Sequence, residues 1–111
     1  MPKLKPGDVA TVLFIGADAT KRRPVVVVSS EAYQNCRPDV VVALLTSRIE
    51  SATTDFDYPL RDWESAGLKR PSVFRAYLQT DIQSEVEQIG KLSERDWGEI
   101  KKRLALLFVD Q

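Results

Sequence analysis

Apolar residues in this chain fall into short clusters separated by turn residues, and all but the last cluster have the length and β-branched character of strands. Lys5-Pro6-Gly7-Asp8 is turn chemistry, and Val9 to Ile15 then reads as a buried strand. A loop over Gly16 to Lys21 leads to Arg23-Pro24, the run Val25 to Val28 and the serines Ser29 and Ser30 at its end, and the unbroken valines predict a strand covered on both faces. Proline cannot donate to a ladder, so Pro24 belongs at the start or edge of that strand and Arg23 at the rim of the sheet. After a turn at Asn35 to Asp39, Val40 to Leu45 forms a third strand that ends on Thr46-Ser47-Arg48. Ile49 to Asp57 is polar and irregular, and Tyr58 to Leu60 is short and extended. Arg61 to Gly67 fits one helical turn closed by glycine. Pro71 opens a strand from Ser72 to Leu78, a turn follows at Thr80 to Ser84, and Glu85 to Leu92 predicts a last short strand with Val86, Ile89 and Leu92 inward.

From Glu94 the period changes. Trp97, Ile100, Leu104, Leu107 and Phe108 recur at helical spacing, while Arg95, Glu99, Lys101, Lys102 and Arg103 take the other side. Ser93 suits the cap, Asp96 three residues later completes a capping box, and Leu92 can staple against Trp97. Five to six short strands followed by one amphipathic helix predict a mainly β (α+β) fold: a small, strongly bent antiparallel sheet or barrel with the helix laid on it. The chain has 111 residues, enough for one core, so residues 1–111 are expected to form a single domain. Neither a repeat nor a linker interrupts it.

Composition then narrows the chemistry. There is no histidine, which removes the usual general base and metal ligand, and the one cysteine, Cys36, fits a buried or half-buried thiol. No Cys/His cluster is present to hold zinc, so no metal and no cofactor are expected. No apolar run approaches the roughly 20 residues of a membrane helix, and the segment MPKLKPGD lacks the apolar stretch of a secretory signal; a cytoplasmic protein is expected. Sixteen basic residues balance sixteen acidic ones, yet their distribution is uneven. Lys21, Arg22 and Arg23 stand in a window without acids, as do Arg48 in a second and Lys69, Arg70 and Arg75 in a third. Brought together by folding, these windows make a basic face on a neutral protein.

The segments PGDVATVLF, KRRPVVVVSS, DVVVALLTSR, DYPLRDWESAGLKRPSVFRAYLQTD and QIGKLSERD, in this order, resemble the MazF/PemK/Kid family of bacterial toxin ribonucleases over nearly the whole chain. The resemblance implies an SH3-like barrel with a C-terminal helix, as in MazF and CcdB. It also implies a homodimer with single-stranded RNA across its face, cleavage without metal to a 2′,3′-cyclic phosphate and a 5′-hydroxyl, and a cognate antitoxin whose disordered, acidic, apolar-studded tail occupies the RNA groove. The family's catalytic arginine precedes the proline of strand two, the position of Arg23; its hydroxyl partner at the end of strand three corresponds to Thr46, with Ser47 beside it; and SVFR puts Arg75 at the second arginine of the Kid branch. Two departures matter. Tyr77 stands where the Kid branch has an aspartate, and the first-loop histidine of Kid has no counterpart.

The residues themselves suit such a reaction. Attack by the RNA's own 2′-hydroxyl requires stabilisation of a phosphorane, and arginine presents a permanently charged fork of donors, so Arg23 and Arg75 suit that task and Thr46 and Ser47 can donate beside them. Arg22, Lys69, Arg70 and Arg48 suit phosphates along the strand. Tyr77, Phe14 and Phe74 are aromatic candidates to hold bases, although most such rings belong to a core. For the base, Asp18, Asp81 or a path through water remain open; a tyrosine, with a free pKa of about 10, is a reluctant one. Two rival readings use the same fold: a CcdB-like protein that poisons DNA gyrase by binding, and a degenerate member that binds only antitoxin.

Overall fold

Ten elements follow one another in the computed structural model, which describes residues 3–15 and 20–108. The strands are β1 (Asp8–Ile15), β2 (Thr20–Val27), β3 (Asp39–Thr46), β4 (Tyr58–Pro59), β5 (Val73–Ile82) and β6 (Glu87–Lys91); the helices are α1 (Glu31–Cys36) and α2 (Glu94–Phe108), with single 3-10 turns at Ile49–Ser51 and Gln83–Glu85. All six strands join one antiparallel sheet in the order β4-β5-β3-β2-β1-β6. It curls into a half-barrel whose edge strands β4 and β6 are not paired with each other.

Alternation along the strands sends side chains to two apolar clusters, one on each face. Val9, Val26, Ala43, Leu45 and Phe74 join Tyr58, Leu60 and Leu92 beneath Trp97, Ile100 and Leu104 of α2. Ala10, Val12, Val25, Val27, Val40 and Val42 build the other face with Leu4 and Val86. The valine run of β2 thus alternates between two cores, as its lack of polar residues predicts. Each fully buried side chain of this kind contributes roughly 1.5–3 kcal/mol.

Several elements differ from the sequence reading. Helix α1 was not expected; Ser30, read as the polar end of a strand, caps it by accepting from the N–H of Tyr33 at 3.1 Å. Cys36 is exposed rather than buried because it lies at the open end of this short helix, where only Gln34 turns inward. β5 continues to Ile82 through the expected turn, since Thr80 and Asp81 pair by backbone with Val41 and Val40, whatever their side chains. Arg61 to Gly67 stops short of a regular helix but closes at Gly67 as expected, the N–H groups of Gly67 and Leu68 donating to the carbonyls of Glu64 and Trp63 at 3.2 Å, while those of Arg61 and Asp62 donate to the Asp96 carboxylate at 3.1 and 2.8 Å. That same carboxylate accepts from the Tyr58 hydroxyl at 2.6 Å, so Asp96 is fully buried and the capping box is only half made, through its N–H to Ser93 Oγ. Phe108, read as inward, is 65% exposed at the end of α2, beyond the reach of the sheet.

The open side of the half-barrel is closed by backbone contact. A Cβ on Gly90 would stand 2.1 Å from the carbonyl oxygen of Ala66, and one on Gly67, where φ is +89°, 2.6 Å from that of Ile89. Only glycine at both positions lets the loop after β4 lie against β6. Gly67 and Ile89, held together in this way, both line an open cleft.

Candidate functional site

The β2–β3 ladder pairs Val27 with Val42, Val26 with Ala43 and Val25 with Leu44, then stops at Pro24, which has no N–H to offer. Carried two residues further, the same register sets Arg23 opposite Thr46. Both residues line one open cleft of about 720 Å3, so the fold brings together the pair that the sequence singled out. Thr46 Oγ1 accepts from the N–H of Arg48 at 3.2 Å, which orients the hydroxyl and leaves its own proton for an outside acceptor.

Ser47, Arg48, Lys69, Arg70 and Arg22 line the same cleft, and Lys21 joins them. Six cations therefore meet one carboxylate, Glu87, on a chain whose net charge is zero. The side chains of Lys21, Arg23, Arg48, Lys69 and Arg70 make no hydrogen bond or ion pair with any other described residue. Arg22 differs: its Nε donates to Thr11 Oγ1 at 3.0 Å, and its Nη2 donates to the carbonyl oxygens of Thr11 at 2.7 Å and Glu85 at 3.4 Å. Its Nη2 also lies 4.0 Å from a Glu87 oxygen.

Arg75 and Tyr77 do not line the cleft. The β4–β5 register pairs Tyr58 with Phe74, which brings Arg75 beside Asp57, and Arg75 Nε lies 3.2 Å from Asp57 Oδ1 in an ion pair without a well-directed hydrogen bond. Burial alone would raise the Asp57 pKa, but the N–H groups of Thr54 and Thr53, the Thr54 hydroxyl and Arg75 together hold it below its ordinary value. Tyr77 is exposed on β5, whereas Phe74 is fully buried in the core. Asp81 accepts from Gln79 Nε2 away from the cleft, and Asp18 and the side chain of Phe14 lie outside the described residues.

The sequence reading missed Glu87 and Ile89. It placed Ile89 inward, but the β1–β6 ladder shifts register between Val9 and Ala10, which pair with Gly90 and Gln88 and leave Ile89 as the extra residue. Such a bulge turns a side chain away from its regular face, and Ile89, 40% exposed, lines the cleft instead. The only advance signal was Gly90, a glycine inside a strand pattern.

A second depression, of about 580 Å3, lies between β4 and α2 and is lined by Tyr58, Arg61, Arg95, Glu99, Lys102 and Arg103 among others. There Arg95 grips Asp62 through Nε and Nη2, both at 2.8 Å, and this contact, with the Ser93 hydroxyl, holds the Asp62 carboxyl down to about 2. Glu99 pairs with Lys102 and Arg103, and the Arg103 guanidinium lies 4.8 Å from the centre of the Tyr58 ring. Burial, then donation to Asp96, pushes the Tyr58 hydroxyl up to about 12.

Comparison with known structures agrees with this architecture. The MazE–MazF complex of Deinococcus radiodurans matches with a TM-score of 0.74 at 21% identity, over 96% of this chain and 97% of that one. A mycobacterial endoribonuclease in complex with its cognate antitoxin matches with a TM-score of 0.75 at 22% identity, over 95% and 93% of the two chains. The Mycobacterium tuberculosis toxin MazF-mt6 matches with a TM-score of 0.73 at 22% identity, over 94% and 99%. No curated protein matches the sequence. Residues 5–108 match the family described as PemK-like, MazF-like toxin of type II toxin-antitoxin system. That match spans nearly the whole chain, and the chain belongs to this toxin family.

Proposed function

We propose that this toxin is an endoribonuclease that cleaves single-stranded RNA without a metal ion. The observation that carries the reading is the convergence of Arg23 and Thr46 on one cleft whose other cations, Arg22 excepted, hold no described acceptor. The 2′-hydroxyl oxygen attacks the adjacent phosphorus while its proton passes to a base or to water; the bond to the 5′-oxygen breaks, and that oxygen takes up a proton. A 2′,3′-cyclic phosphate and a 5′-hydroxyl result. Arg23 stabilises the charge gathering on the phosphorane, and the Thr46 hydroxyl donates to a non-bridging oxygen. Lys69, Arg70, Arg48 and Ser47 hold neighbouring phosphates. Arg75, paired with Asp57, and Tyr77, exposed on β5, stand outside the cleft and would touch RNA only beyond it.

Exposed apolar side chains on the strands and on α2, Leu13, Leu106 and Phe108 among them, offer surface to a second copy, and we assign the working form as a homodimer. An antitoxin with an acidic, apolar-studded tail would complement the cationic cleft and compete with RNA for it. Incubation with a long single-stranded RNA in EDTA, followed by mapping of the new ends, tests the proposal. Cyclic phosphate ends that Arg23→Ala abolishes are expected. A protein that arrests growth equally well with Arg23→Ala would instead act by binding alone.

A further inference from the structure

The lining of the cleft is of two unlike kinds. Arg23, Thr46, Arg48, Lys69 and Arg70 are all donors, whereas β6 adds a carboxylate and an apolar side chain, Glu87 and Ile89. A carboxylate repels phosphate, so an RNA backbone settles on the donors and is kept off Glu87. What Glu87 meets is then a base.

Glu87 is 71% exposed at its side chain. Its backbone pairs with Thr11 in the β1–β6 ladder, and Arg22, whose Nε and Nη2 are spent on Thr11 and Glu85, stands 4.0 Å from its carboxylate. Ile89 is set by the bulge, and its backbone is clamped against Gly67. The β6 backbone is thus held in place by its ladder and by Gly67 before any ligand arrives, which suits a reading surface.

Resting on the ribonuclease reading of the same cleft, we propose that Glu87 and Ile89 form a base-reading subsite that selects guanine. An ionised carboxylate has only acceptors, two oxygens side by side. Among the four RNA bases, guanine alone presents two adjacent donors on its Watson–Crick edge, N1–H and the 2-amino group. Uracil offers a single N–H between two carbonyls, and adenine and cytosine each set an amino group beside a ring-nitrogen lone pair; all three put an acceptor against the carboxylate. Ile89 supplies the apolar contact for the flat face of the unstacked base. Arg22 acts through Glu87 as a positioning residue.

The test uses the full chain and a pool of single-stranded RNA carrying a randomised stretch, cut in EDTA and sequenced at the new ends. Guanine should be enriched at one fixed distance from the cut, and Glu87→Gln, which replaces one acceptor by a donor, should lower that preference on the order of tenfold while cutting continues. Ile89→Ala should weaken cleavage without changing which base is chosen. A second arm needs no cleavage: binding of short oligonucleotides with 2′-deoxy sugars, in which guanine is exchanged for hypoxanthine, the base lacking the 2-amino group. The exchange should weaken binding to the wild type but not to Glu87→Gln. Absence of guanine enrichment, or enrichment that Glu87→Gln leaves intact, overturns the subsite while the nuclease stands. Absence of any cutting overturns the nuclease, and the hypoxanthine comparison then decides the subsite by itself.

Discussion

Two parts of this molecule are rich in cations, and they differ in what those cations already hold. Beside α2, Arg95 is spent on Asp62, and Lys102 and Arg103 are spent on Glu99, with Arg103 also laid over Tyr58. In the cleft, Arg23, Arg48, Lys69 and Arg70 keep their donors free of every described residue, and Arg22 alone is committed, to a brace behind Glu87. A cation whose donors are satisfied by its own protein adds stability or order; one whose donors are open adds affinity for an outside anion. Charge counted along the chain does not separate these cases. Partners do.

The sharpest way to break the comparison is to remove one arginine from each region. Arg23→Ala should cost about 100- to 1,000-fold in the rate of RNA cleavage, the usual loss for one preorganised donor at a transition state, with the circular dichroism spectrum unchanged. Arg95→Ala should leave the rate within a factor of two. Equal losses from both would mean that the cleft is not special.

Asp96 sharpens the comparison from the side of stability. Its fully buried carboxylate accepts from the Tyr58 hydroxyl and two backbone N–H groups, so Asp96→Ala leaves one buried donor and two part-buried ones without that partner. A loss of about 3 kcal/mol is expected, read as a lower urea midpoint. Cleavage per folded molecule should not change, because nothing in that network reaches the cleft.

The same contrast explains what was legible in the sequence. The strands β1, β2 and β3 could be read because their valine and leucine runs are buried by local pattern, and Arg23 and Thr46 because proline and the end of a run mark the rim. Family resemblance supplied the pairing of the two; the register explains it. Asp96 was misread because a serine three residues before an acid is a cap in most helices, and nothing local says that Tyr58, 38 positions away, will claim the carboxylate. Glu87 and Ile89 were missed for a like reason. Their place depends on a bulge in a ladder formed with β1, at the other end of the chain.

Within the cleft, Lys69 and Arg70 should act as phosphate holders and no more. Each alanine substitution should reduce the slope of log affinity against log salt by about 0.7, the value for one released counterion on a single strand. The cut positions should stay the same. A changed motif would move these residues from holding the backbone to reading bases, and would weaken the division of labour between the donors of the cleft and β6.

The smallest effect belongs to the pair that is already satisfied. Asp62 is held down to about 2 by donation from Arg95 and Ser93, below the roughly 3.9 of an unfolded aspartate. A depressed carboxylate contributes stability that is present above the unfolded value and lost as pH falls through the folded one, so this pair should weaken between about pH 4 and pH 2. Asp62→Asn removes the titration and should flatten the fall of melting temperature over that window. A residual slope remains from Asp57, also depressed, through its Thr54, Thr53 and Arg75 contacts. Because Asp62 and Arg95 lie near solvent, added salt should shrink the difference further. RNA cleavage at neutral pH should be the same in both proteins, since a donor held by Asp62 was never available to a phosphate.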